Sequence, residues 1–128
     1  MAKSANILAA LIFMGLTTGA RAQSAEPVEI SLTDYAFTPG QISLKAGTAY
    51  RLHFTNAGSK EHDFTAPEFF AAAQAAPDDQ AKIKAGKVTI DKGQQVDVTV
   101  TPAAGLYKVS CTHFMHSMMG MHGTIAVE

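Results

Sequence analysis

Hydrophobic and polar residues alternate along most of this chain in short runs, each closed by a turn signal. Val28, Ile30 and Leu32 alternate with polar neighbours before Thr38-Pro39-Gly40 breaks the run, and Ile42 and Leu44 alternate before Ala46-Gly47. Tyr50, Leu52 and Phe54 share one face of the next run and leave Arg51 and His53 on the other. Val88 to Ile90 precedes a Lys92-Gly93 turn. Val96, Val98 and Val100 then face away from Asp97 and Thr99, Leu106 to Ser110 follows Pro102-Ala-Ala-Gly105, and Thr124 to Val127 closes the chain. A period of two in segments this short predicts half-buried strands, and regular turn signals between them predict an antiparallel sandwich or barrel of seven to eight strands.

One stretch departs from that period. From Pro67 to Ala85 the composition favours helix around Phe69-Phe70-Ala71-Ala72-Ala73-Gln74-Ala75-Ala76, and Pro67 suits a first helical turn. Pro77-Asp78-Asp79 interrupts it, leaving Gln80 to Lys84 for a second short turn. The expectation is a helical insertion between strands, with Phe69 and Phe70 packed against one end of the sandwich.

The N-terminus changes the picture of what folds. Lys3 gives a basic start, Ile7 to Leu16 is an almost unbroken apolar run, and Ala20-Arg21-Ala22 has the small-x-small form of a signal-peptidase site. Residues 1 to 22 therefore read as a signal peptide and residues 23 to 128 as one exported, periplasmic domain. The apolar run is about half of the ~20 residues a membrane-spanning helix needs, so no stable membrane insertion of the mature chain is expected. Loss of Lys3 and Arg21 leaves 8 basic against 11 acidic residues. With scattered lysines and no basic patch, nothing points to nucleic acid.

Candidate chemistry is concentrated in one segment. Of 5 histidines, 6 methionines and 1 cysteine in the chain, the stretch from Cys111 to His122 holds the cysteine, His113, His116 and His122, and Met115, Met118, Met119 and Met121. A lone cysteine in an exported protein forms no internal disulfide, and a free thiol there needs burial, a partner chain or a metal. Thiolate, imidazole and thioether together select copper, or less often zinc. Cys111 follows directly on a strand, while His116 and Met121 follow at intervals of five residues in the loop before the last strand. A remaining corner must come from elsewhere, and His62, in Lys60-Glu-His-Asp-Phe64, is the natural candidate. Two imidazoles, one thiolate and a weak axial thioether form the trigonal site of an electron-transfer copper protein. His113 remains an alternative to His116, and Met118 or Met119 an alternative to Met121. His122 reads as solvent-facing and His53 as structural.

From about Val28 to Glu128 the chain resembles the cupredoxins, the blue copper proteins. The residues that carry the resemblance are His62 and its neighbours, the Leu106-Tyr-Lys-Val-Ser-Cys111 strand, the His116 and Met121 spacing, and Gly123-Thr-Ile-Ala-Val127. The resemblance implies an all-β Greek-key β-sandwich with His62, Cys111 and His116 as equatorial ligands of one copper ion and Met121 axial. It also implies contact with partners where a ligand histidine reaches the surface. Asp63 stands where many members have Asn, and the loop lacks the proline often found between the cysteine and the second histidine. The function expected is one-electron transfer between redox partner proteins, without catalysis. The alternative is copper carriage, storage or resistance, handing copper to trafficking proteins through the surplus Met and His donors. A nucleophilic enzyme is disfavoured, since a thiol among methionines lacks the electropositive setting that activates one.

Overall fold

A computed structural model describes Gly15 and residues 24–113 and 115–128. Apart from Gly15, the expected signal peptide lies outside the described residues, as does Phe114. Among the described residues ten strands form two five-stranded sheets, with β1 (Glu26–Thr33), β2 (Ala36–Thr38), β3 (Gln41–Leu44), β4 (Tyr50–Asn56) and β5 (His62–Thr65) in the first half. After helix α1 (Pro67–Ala72) come β6 (Gln74–Ala75), β7 (Lys87–Ile90), β8 (Gln95–Thr101), β9 (Gly105–Ser110) and β10 (His122–Val127). One sheet runs β2-β1-β4-β8-β6 and the other β3-β10-β9-β5-β7. The chain thus crosses repeatedly between layers, as a Greek-key sandwich requires.

Alternation places the side chains as expected. Tyr50, Leu52 and Phe54 of β4 point inward and lie opposite Val100, Val98 and Val96 of β8. Phe54 meets Phe64 of the facing sheet with ring centroids 4.9 Å apart. Both rings are wholly buried, and each contributes roughly 1.5–3 kcal/mol by leaving water. The pairing itself differs from the antiparallel expectation, because β1 runs parallel to β4 and β3 parallel to β10. Alternation fixes which face is buried but carries no information on the direction of the neighbouring strand.

The insertion is partly as expected. Pro67 opens α1, which ends at Ala72 because Ala73 is extended, and Gln74–Ala75 pair with β8. Pro77–Lys82 form a 3-10 helix, so the second turn starts at the proline and not after it. Phe69 is fully buried against Tyr107, and Phe70 packs on the core.

Candidate metal centre

The site lies at the end of the sandwich where β5, β9 and β10 meet. β5 was not visible as an alternating strand because His62, Asp63 and Phe64 are all buried. It pairs with β7, His62 opposite Ile90, and touches β9 through Thr65 and Ser110. Cys111 lies one residue beyond β9, and its N–H bonds to the Met121 carbonyl at 3.3 Å. Between them the loop folds back on itself: Met121 N–H donates to the His116 carbonyl at 3.2 Å and His116 N–H to the His113 carbonyl at 3.0 Å. Gly120, at a φ of +93°, ends the single 3-10 turn of Ser117–Met119 and sends Met121 inward.

These elements bring three donors together. His62 Nδ1 lies 3.0 Å from His116 Nδ1, Cys111 Sγ lies 3.4 Å from His116 Nδ1, and Cys111 Sγ lies 3.9 Å from His62 Nδ1. The centre of a triangle with those sides is about 2.0 Å from each corner, against metal bonds of ~2.0–2.1 Å to imidazole and ~2.3 Å to thiolate. His62 and Cys111 are fully buried and His116 is 3% exposed; Met121 is also fully buried, its backbone bonded to those of Cys111 and His116. Two imidazole nitrogens face to face at 3.0 Å need a proton or a cation between them. The donor set fits a soft or borderline first-row metal.

The electrostatics suit such an ion. Burial pushes the Cys111 thiol up, against the pull of the Asp63 and His113 backbone N–H groups, so the thiol keeps its proton until a cation replaces it. Burial also lowers His116, the nearness of His62 adds to the shift, and its ring is left neutral with a free lone pair.

The surroundings are well braced. Asp63 N–H lies 3.5 Å from Cys111 Sγ. The Asp63 carboxylate accepts from Thr112 N–H at 2.8 Å, from the Thr112 hydroxyl at 2.9 Å and from the Thr65 hydroxyl at 2.6 Å. Asp63 in place of Asn therefore still ties the ligand strand to the ligand loop. On the other side the β1–β2 turn presents two residues: Asp34 Oδ1 accepts from His62 Nε2 at 2.8 Å, and Tyr35 sets its edge on the His116 ring at 5.1 Å. Neither was legible in the sequence, since an Asp-Tyr pair between two strands reads only as a turn.

Among the alternatives, His113 is not in the converging group. Its ring stacks on His116 at 4.5 Å and 27°. His122 is exposed, as expected, and His53 bonds to Asp97 at 2.6 Å. Met118 is 80% and Met119 56% exposed. One expectation is corrected: neither His62 nor His116 reaches the surface, because Tyr35 and His113 cover the His116 ring.

The model of the cupredoxin-like domain matches residues 6–127. Auracyanin B is similar in structure, with 25% identity and a TM-score of 0.62 over 83% of this chain and 91% of that one. Auracyanin A, a "blue" copper protein from Chloroflexus aurantiacus, is 21% identical with a TM-score of 0.55, over 80% of this chain and 99% of that one. A multicopper oxidase from Campylobacter jejuni shares the fold at 13% identity and a TM-score of 0.63, over 84% of this chain but only 31% of its own. No curated protein matches the chain.

Proposed function

Because the chain belongs to the cupredoxin-like family, we propose that it is an exported, periplasmic one-electron carrier holding one copper ion through His62, Cys111, His116 and Met121. The observation that carries this reading is the convergence of two Nδ1 atoms and one thiol sulfur in a buried triangle with sides of 3.0, 3.4 and 3.9 Å. Copper, when bound, supplies reversible one-electron chemistry between Cu(II) and Cu(I). The protein's part is to hold the donors still, so that little reorganises when an electron arrives. β5 and β9 fix His62 and Cys111, the Asp63 carboxylate locks the start of the loop, and buried Met121 would supply a thioether as the fourth, weaker donor. Every proposed donor is buried or nearly so, unlike the substrate-accessible position that a catalytic metal keeps. This favours a carrier over an enzyme.

Partners would be redox proteins. Since His116 is covered, an electron would pass through the stacked His113 ring or the Tyr35 edge to a surface around exposed Met115, Met118 and Met119. That same surface supports the second reading, copper carriage. Three thioethers without cover are the donors a Cu(I) ion in transit would use.

The deciding experiment loads the protein with one equivalent of Cu(II) and records visible absorption and paramagnetic resonance. An intense thiolate-to-copper band with narrow hyperfine splitting, absent in Cys111→Ser, is expected for the carrier. A pale spectrum, or rapid conversion to a colourless Cu(I) form that a chelator strips, would replace it with carriage.

A further inference from the structure

We propose that Asp34 is a positioning residue for the metal centre: its carboxylate holds His62 with Nδ1 turned to the metal and weights the site toward the oxidised ion. This rests on the copper reading above and assigns a role to a residue that is not itself a ligand.

The His62 ring is fully buried, so both of its nitrogens need partners. Nδ1 faces Cys111 and His116, and Nε2 faces Asp34 Oδ1 at 2.8 Å. A carboxylate accepts only, so the proton sits on Nε2 and the Nδ1 lone pair is left free for a cation. The carboxylate is not a chance surface neighbour. Ser59 N–H bonds to both of its oxygens at 3.1 Å, and the Ser59 hydroxyl donates to Oδ2. The turn that carries Ser59 is anchored in turn by Asn56. That buried side chain accepts from Gly58 N–H at 2.9 Å and donates to the Lys60 and Ile90 carbonyls at 2.8 and 2.9 Å. Asp34 itself is fixed in the tight turn between β1 and β2, where Tyr35 N–H bonds to the Thr33 carbonyl at 2.9 Å. The carboxylate, the turn and the ring form one hydrogen-bonded unit that links the β1–β2 corner to β5.

The chemical consequence follows from charge. A carboxylate behind a ligand imidazole makes the ring a stronger donor and places a negative charge near the ion. Both effects favour Cu(II) over Cu(I). With copper bound, an electron received from a redox partner would reduce the ion without a proton being gained at Nε2, whose hydrogen Asp34 would hold throughout. His116 has a different setting, flanked by the Tyr35 and His113 rings, so the two imidazoles are tuned separately.

The test uses the full copper-loaded protein and Asp34→Asn, which keeps an oxygen acceptor of the same shape but removes the charge. The expected result is a retained thiolate band and a higher reduction potential. The size expected is about a tenfold fall in affinity for Cu(II) relative to Cu(I), or about 59 mV for one electron. Ser59→Ala, which loosens the carboxylate without removing it, should shift the potential in the same direction by less. An unchanged or lowered potential in Asp34→Asn would overturn the proposal. Nitrogen NMR of His62 in the metal-free protein gives an independent readout. The native ring should be the Nε2–H tautomer, and Asp34→Ala should give a mixture; an identical tautomer in both would also overturn it. If the native protein showed no thiolate band, the copper reading would fall, while the NMR comparison would still decide the role of Asp34.

Discussion

A single carbon added at Gly58 would strike the hydrogen bond behind His62. A Cβ there would lie 2.6 Å from Asp34 Oδ1 and 2.7 Å from His62 Nε2, inside any permitted contact, and neither atom can retreat without breaking the hydrogen bond between them. Gly58→Ala should therefore push the His62 ring off line. We expect copper affinity to fall about 10–100-fold, the usual effect of disturbing an outer partner of a ligand histidine, measured by competition with a chelator of known affinity. Unchanged affinity would show that the 58–62 turn can shift as a body. This residue also marks the limit of what the sequence discloses. His62, Cys111, His116 and Met121 stood out because their side chains are chemically rare and clustered or framed by strands. Asp34, Tyr35, Gly58 and Thr112 are common residues in turns, and only three-dimensional proximity separates them from ordinary surface. His113 offered a plausible Cys-x-His pairing, yet β9 ends at Ser110, so the same-face argument for the two residues fails.

At the scale of elements, the insertion is held to the sheet by more than its two phenylalanines. Asp79, in the 3-10 helix Pro77–Lys82, accepts from Thr99 N–H of β8 and from Lys82 Nζ, each at 2.8 Å. Burial alone would raise its carboxyl, but these two bonds outweigh it and the group lies below its ordinary value. A depressed folded-state value means that the stabilisation is complete above the ordinary pKa of 3.8 and is lost as pH falls through the folded value. Asp79→Ala should cost about 1–2 kcal/mol at pH 7, discounted for the half-exposed lysine. Denaturant midpoints of the two proteins should differ fully above about pH 4 and approach each other as pH falls below it through the depressed folded value, and an undiminished difference at pH 2 would contradict this account. The elements themselves were legible to differing degrees, for one reason. Strands with one wet face, such as β4 and β8, print a period of two on the sequence, whereas β5, buried on both faces, prints none. The parallel pairings of β1 with β4 and of β3 with β10 depend on crossovers between layers, which leave no trace in local pattern.

For the whole molecule, the proposed donors come from separate parts of one sheet, with His62 on β5, Cys111 beyond β9 and Met121 leading into β10. Asp34 and Tyr35 close the site from the corner of the other sheet. Each of these strands is fixed by the sandwich core, where Phe54, Phe64, Leu52, Val98 and Ile125 are essentially inaccessible to water. The fold therefore does not depend on an ion in the way a small zinc domain does, and among the described residues no helix is long and apolar enough to cross a membrane and supply another anchor. A metal that binds only the folded state adds its binding free energy to stability. At a free copper concentration a hundred times Kd the gain is about 2.7 kcal/mol, or a rise in Tm of roughly 10–20 °C for a domain of about 100 residues. The sheet signal in far-ultraviolet circular dichroism should be the same with and without copper. Cys111→Ser should keep that signal and a Tm near that of the native apoprotein while losing the copper-dependent rise. If a chelator instead abolished the sheet signal of the native protein, the metal would be organising the sandwich. The rigid preformed site on which low reorganisation depends would then not exist.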